Sequence, residues 1–271
     1  MNKETLKKIF LPLVVLVVII QVWIGIATVV EDFPTPSSTY TVAFGGINAD
    51  GDEVEGSIAD PFYIENQDDK GVFWQILASL QRVFGGFALA ILVGVPVGLF
   101  IGMSKNAQYA LDPFIQIFKP VSPLAWLPLL LFIFKDINAT AISTIFITSI
   151  WPIIINTALG VRSVNEDYMN VAKVLRFTAF EKVVQIILPV AVPFIFTGMR
   201  LSLGIAWLVI VAAEMLTGGI GIGFWIWDEY NNLNYENIII GIILVGFVGF
   251  FLDLVMGKIA DYFDYTKKGK A

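Results

Sequence analysis

Four ionisable side chains stand within or beside long apolar stretches of this sequence: Arg82, Arg200, Glu214 and Asp253. A charge at membrane depth is costly, so such a group either marks a path for ions or answers another charge. Arg82 and Arg200 are the natural contacts for an anion, because a guanidinium presents several N–H donors in one fork. Snorkelling or a structural ion pair is the competing use of the same two residues. Glu214 would repel an anion, so it reads as the partner of a basic residue or part of an external gate. Asp253 reads as paired or interfacial. Tryptophans at 126, 151, 207, 225 and 227 accompany these charges. Trp225 and Trp227 suit the aromatic belt found where lipid meets water, whereas Trp126 and Trp207 are candidates to line a path.

Much other chemistry is absent. The chain has no Cys and no His, which removes disulfides, thiol chemistry, imidazole proton relays and ordinary zinc sites. No G-x-x-x-x-G-K-[ST] occurs, so nothing here cradles ATP phosphates. The glycines of TGGIGIGF (217–224) have the wrong spacing for that motif and read as a flexible turn closing an apolar run. A net charge of −6 argues against a nucleic-acid partner. Without His or Cys, and with no compact acid cluster in the apolar runs, a membrane enzyme is disfavoured.

The elements that hold these residues are membrane helices. Hydrophobic residues make up 57% of the 271, above the 45–50% usual for soluble domains. Apolar runs at about 9–30, 73–103, 122–134, 139–159, 194–216 and 238–256 predict six spans and an all-α polytopic protein. The first run is too long for a secretory signal and lacks a small-residue cleavage site, so it reads as a retained anchor. Gly94, Gly98 and Gly102 form a small-xxx-small stripe on the second span, where helices approach closely, and Pro96 is expected to kink it. Residues 31–70 carry ten acids, including Asp50, Asp52, Glu55, Glu65, Asp68 and Asp69, against Lys70 alone. They read as an extracytoplasmic loop of turns, with a short hairpin around TYTVAF. Basic residues at the N-terminus, at Lys105 and Lys119, between Arg162 and Lys182, and at Lys258, Lys267, Lys268 and Lys270 place both termini in the cytoplasm. Only Lys135 dissents.

The basic loop at 160–193 contains two helix-start signals, Ser163 with Glu166 and Thr178 with Glu181, each spaced as a capping box. The first helix is expected over 164–175, with Tyr168, Val171, Ala172 and Leu175 on one apolar stripe. The second is expected to stop before Pro189. Such a helix–turn–helix suits either a groove in another protein or the lipid surface.

The segment resembles the EAA loop of ABC importer permeases, E-A-A, three residues, Gly, nine residues, then I-x-L-P. Here that spacing falls on Asn170-Val171-Ala172, Arg176 and Ile186-Ile187-Leu188-Pro189. The central Ala and the I-x-L-P end match, while Asn170 and Arg176 replace the Glu and the Gly. SLQRVFGGFALAILVGVPVGLFIG, LAWLPLLLFIFKD and FITSIWPIIINTALGV resemble spans of the nitrate, sulfonate and taurine branch. FTGMRLSLGIAWLVIVAAEML with GIGFWIWDEYNN resembles the nitrate permeases of cyanobacterial-type importers, with bicarbonate permeases close behind. The resemblance implies a type I permease fold and a path for nitrate or nitrite. It also implies a second permease copy, two cytoplasmic subunits that bind ATP and Mg, and an extracytoplasmic solute-binding protein. The loop would be the ATPase-coupling element, using Tyr168, Asn170, Val171, Ala172, Leu175 and Arg176, and an aspartate at position 172 should uncouple it. The same resemblance divides the chain into an anchor at 1–30, an acidic loop at 31–72, a permease core at 73–262 with the coupling loop at 160–190, and a tail at 263–271. Bicarbonate, cyanate and sulfonate permeases share the frame. A secondary anion carrier would need an internal repeat, which is not evident.

Overall fold

The computed structural model describes residues 3–47, 53–54, 56–64 and 70–263. The acids at 50, 52, 55, 65, 68 and 69 and the lysines at 267, 268 and 270 lie outside these. The described residues form two compact units, one of residues 1–75 with 225–244 and one of 76–224 with 245–271.

In the first unit, helix α1 (Lys3–Val29) carries an apolar stretch from Phe10 to Val29 with none of its window buried by protein. A helix apolar all round and uncovered is suited to lipid or to another chain. The segment read as a hairpin around TYTVAF is instead helix α2 (Pro36–Phe44). Thr35 and Ser38 satisfy each other's backbone N–H there, at 3.0 and 3.1 Å, in a capping box built on Ser rather than Glu. The strands are displaced beyond it, β1 (Gly46–Ile47) pairing antiparallel with β2 (Glu53–Val54). The glycine-rich segment also runs into helix α10 (Ile222–Asn231), where only a turn is expected from sequence. Its half-buried Glu229 carboxyl is pushed above the usual carboxylate range by burial, with hydrogen bonds to Asn237 and Asn234 acting the other way.

The second unit is built around α6 (Ile137–Arg162), which packs most extensively on α9 (Leu188–Thr217). Ser149 and Ser202 exchange hydroxyl-to-carbonyl hydrogen bonds across that contact. Helix α3 (Val72–Met103) lies against α6 along its glycine stripe. A Cβ at Gly98 would stand 2.6 Å from Thr157, and one at Gly102 2.5 Å from Val161. Only glycine permits that approach.

Two expected elements change form. The third span, expected over 122–134, is the short helix α5 (Pro123–Phe134), and α4 (Lys105–Phe118) meets it at a bend of 95°. Twelve residues of α5 rise about 18 Å, short of a roughly 30 Å core. The described residues thus hold five helices able to cross alone, or six spans if the bent pair counts as one. The helix expected to end before Pro189 also runs on. Helix α8 (Ala179–Lys182) passes through a π-helical turn at Val183–Ile187 into α9. Pro189 has no N–H and its ring crowds the carbonyl four residues back. The wide π turn, in which Leu188 N–H reaches Val183 O, absorbs that conflict. Helix α11 (Tyr235–Phe263) completes the set.

Candidate functional site

The candidates in the basic 160–193 loop sit on and just after α7 (Glu166–Val174), ahead of α8. The N-cap of α7 is Asn165, whose side chain accepts from Asp167 N–H at 3.0 Å; Ser163 instead donates its hydroxyl to the Gly160 carbonyl and is the C-cap of α6. Thr178 and Glu181 form the expected capping box. The single stripe expected here is divided. Tyr168, Val171 and Leu175 are exposed, whereas Ala172 is buried and Met169 packs on a core of Val161, Ile187, Ala191 and Ile195. Asn170 is exposed and accepts from the Lys173 ammonium at 3.3 Å. Val174 and Phe180 add two more exposed apolar side chains to the outer surface.

Arg176 stands where the EAA pattern has glycine, and its φ of 57° explains that preference. Phe177 N–H reaches back to Ala172 O at 2.9 Å and Arg176 N–H to Lys173 O at 3.1 Å, a Schellman ending with Arg176 in the left-handed position. A side chain there costs about 1–2 kcal/mol, partly offset by the smaller entropy of a non-glycine unfolded chain. Arg176→Gly is expected to raise the thermal midpoint of the detergent-solubilised protein by about 1–3 °C. A fall would show that the arginine side chain contributes more than its backbone costs.

The charged candidates are brought together in pairs. Arg82 Nη1 donates to Glu214 Oε1 at 2.6 Å and to Ile220 O at 2.7 Å, while Nε donates to Asn138 Oδ1 at 2.8 Å. Glu214 also accepts from Ser79 Oγ at 2.8 Å and from Gly223 N–H at 3.0 Å, and Ser79 Oγ in turn accepts from Ile222 N–H. Side-chain exposure of the pair is 9% and 0%. A buried ion pair holds only when its remaining lone pairs and protons find partners, and here both Glu214 oxygens and the Nε and Nη1 of Arg82 have them. The glycines read as a flexible turn make room for this pair. A Cβ at Gly221 would overlap the Glu214 carboxylate, and one at Gly223 would overlap Val211 O. Ser79, Asn138, Gly221 and Gly223 carry no sequence signal tying them to Glu214.

Arg200 forms a bidentate pair with Asp253, both contacts at 2.6 Å, on a half-exposed face. Trp207 is buried and donates its indole N–H to Val245 O at 2.9 Å, so it faces helix α11.

Arg200 and Trp207 border one cavity of about 470 Å³, and Trp126 borders another. Trp126 shares its cleft, of about 470 Å³ between the α4–α5 bend, α6 and α9, with Lys119, Thr148, Trp151 and Asn156. Phe118 lies against its ring at 6.0 Å.

A family model described as "Binding-protein-dependent transport system inner membrane component" matches residues 94–267. A nitrate import permease protein of Leptolyngbya laminosa is 51% identical over 203 residues, 75% of this chain and 73% of the relative. A bicarbonate transport system permease protein of Synechococcus elongatus is 46% identical over 194 residues, 71% of this chain and 70% of the relative. An inward-facing methionine ABC transporter shares the fold, with a TM-score of 0.59 at 14% identity over 71% of this chain and 95% of that one.

Proposed function

The chain belongs to the binding-protein-dependent transport system inner membrane components, and from that premise we propose that it forms the path for nitrate, with nitrite as a related cargo, in an ATP-driven importer. The observation that carries the cargo is the 51% identity to a nitrate import permease. Its complement in this reading is a second copy of the permease, two ATP-binding subunits holding ATP and Mg, and a solute-binding protein on the far side. The basic residues at 162, 173, 176 and 182 support a cytoplasmic α7–α8 loop and cytoplasmic termini in a bacterial inner membrane. The acidic segment at 31–72 then lies outside, after an anchor at 1–30 and before a core at 73–262 with a tail at 263–271.

Energy coupling is required by the cargo. Moving one negative charge into a cell that is negative inside costs roughly 2.3 kcal/mol per 100 mV. A passive pore would lose nitrate outward, whereas hydrolysis in partner subunits drives accumulation. The 46% identity to a bicarbonate permease is the observation behind a second reading. Proteoliposomes holding the complete assembly are expected to accumulate ¹⁵N-nitrate only with ATP, and unlabelled bicarbonate in excess should leave that uptake nearly unchanged. Bicarbonate accumulation indifferent to nitrate would overturn the nitrate assignment.

A further inference from the structure

We propose that the cleft between the α4–α5 bend, α6 and α9 is the membrane subsite for a small planar oxyanion, held by the indole N–H groups of Trp126 and Trp151, the Asn156 amide and the Lys119 ammonium. This deepens the nitrate-permease reading and rests on it for the identity of the cargo.

The donors are unclaimed. Trp23, Trp74 and Trp207 each donate their indole N–H to a backbone carbonyl, at 2.8, 3.1 and 2.9 Å. Trp126 and Trp151 are half-buried and make no hydrogen bond among the described residues, and both line the cleft. An indole N–H is a donor only and normally finds an acceptor when removed from water. Asn156 commits one N–H to Pro152 O at 2.8 Å, which fixes the amide and leaves its second N–H. The hydroxyl proton of Thr148 is spent on backbone carbonyls, so Thr148 offers oxygen and no donor.

Charge selects the sign of the ligand. Lys119 stands at the bend, and none of the described residues lining the cleft is acidic. Both sequence-level arginine candidates are already neutralised by carboxylates, which leaves Lys119 as the cation beside this cleft. The non-helical backbone at 119–122 lies along the cavity. Leu201 and Ile205 of α9 give the cleft an apolar side. In-plane oxygen lone pairs of a trioxo anion can accept from N–H donors carried on α5 and α6, and a weakly hydrated anion tolerates the indole faces. Nitrate brings acceptors alone. Bicarbonate adds an O–H, for which the Thr148 oxygen is one acceptor in the lining.

The test uses the reconstituted importer with Trp126→Phe, Trp151→Phe and Lys119→Gln, which remove one donor each and keep the ring or the stem. Each is expected to raise the KM for nitrate about tenfold, as loss of a hydrogen bond to a charged ligand does, with basal ATP hydrolysis unchanged. Unchanged KM in all three overturns the subsite. If Trp151→Phe fails to assemble, the exposed Lys119→Gln and the half-buried Trp126→Phe decide the matter by the same criterion. If the wild-type assembly moves no nitrate, the transport reading fails instead, and calorimetric titration of the purified permease separates the two ideas. Saturable binding of nitrate or bicarbonate that is weakened in these variants upholds the subsite, and equal binding by all of them overturns it.

Discussion

Removing one member of the Arg82–Glu214 pair is expected to destabilise the protein by about 3–5 kcal/mol, because the survivor keeps its charge in a site closed to water. Arg82→Ala strands a carboxylate that is 0% exposed. Glu214→Ala strands the guanidinium and also removes the acceptor of Gly223 N–H. Glu214→Ala should therefore be the more damaging. The double variant Arg82→Met, Glu214→Leu should recover most of the loss, since apolar side chains of similar volume replace a buried pair at little cost. Thermal unfolding in detergent and the yield of assembled importer read this directly. Single variants as stable as the parent would mean that water reaches the pair. Gly221→Ala is expected to follow the single variants in the same assay, because its Cβ competes with the carboxylate for space.

The second large effect belongs to the outer surface of α7 and α8. Val174 and Phe180 are 81% and 76% exposed, an arrangement that serves an isolated chain poorly and a docked partner well. Val174→Asp and Phe180→Asp are expected to abolish ATP-driven uptake, with loss of the ATP-binding subunits on purification, while the permease keeps its thermal midpoint. A central apolar contact in such an interface carries about 2 kcal/mol or more, enough for a roughly thirtyfold loss of association. Normal uptake in both variants would place the ATPase contact elsewhere. Ala172→Asp, the substitution suggested by the sequence, tests something else. Ala172 is 0% exposed and its carbonyl closes the α7 ending through Phe177 N–H. An aspartate there would lower stability before it could report on docking.

Features with local causes were legible in the residues themselves. Long apolar runs gave the spans because hydrocarbon demands helices that satisfy their own backbone. Thr178 with Glu181 marked a helix start because a capping box is closed within four residues. The stripe at 94, 98 and 102 marked a close helix contact because three glycines on one face leave room for a neighbour. The bend between α4 and α5 was hidden, since an apolar run of 12 residues after a polar connection scans as a short span. Asn165 is hard to pick out as a cap because Ser163 offers the stronger local signal, yet the Ser163 hydroxyl is taken by Gly160 O.

The charged candidates show the other limit. Sequence alone established that Arg82, Arg200, Glu214 and Asp253 had to be answered by something, because isolated charge in hydrocarbon is too costly to leave. It did not say by what. Arg82 and Glu214 are 132 positions apart, and no spacing rule spans that distance. Only the packing of α3 and α9 decides that they neutralise each other and that Gly221 and Gly223 make room for the pair, and only the packing of α5, α6 and α9 sets Trp126, Trp151 and Asn156 around one cleft. Covalent neighbours fix which helices form; burial, settled only when the helices meet, fixes which polar groups remain free to bind an anion.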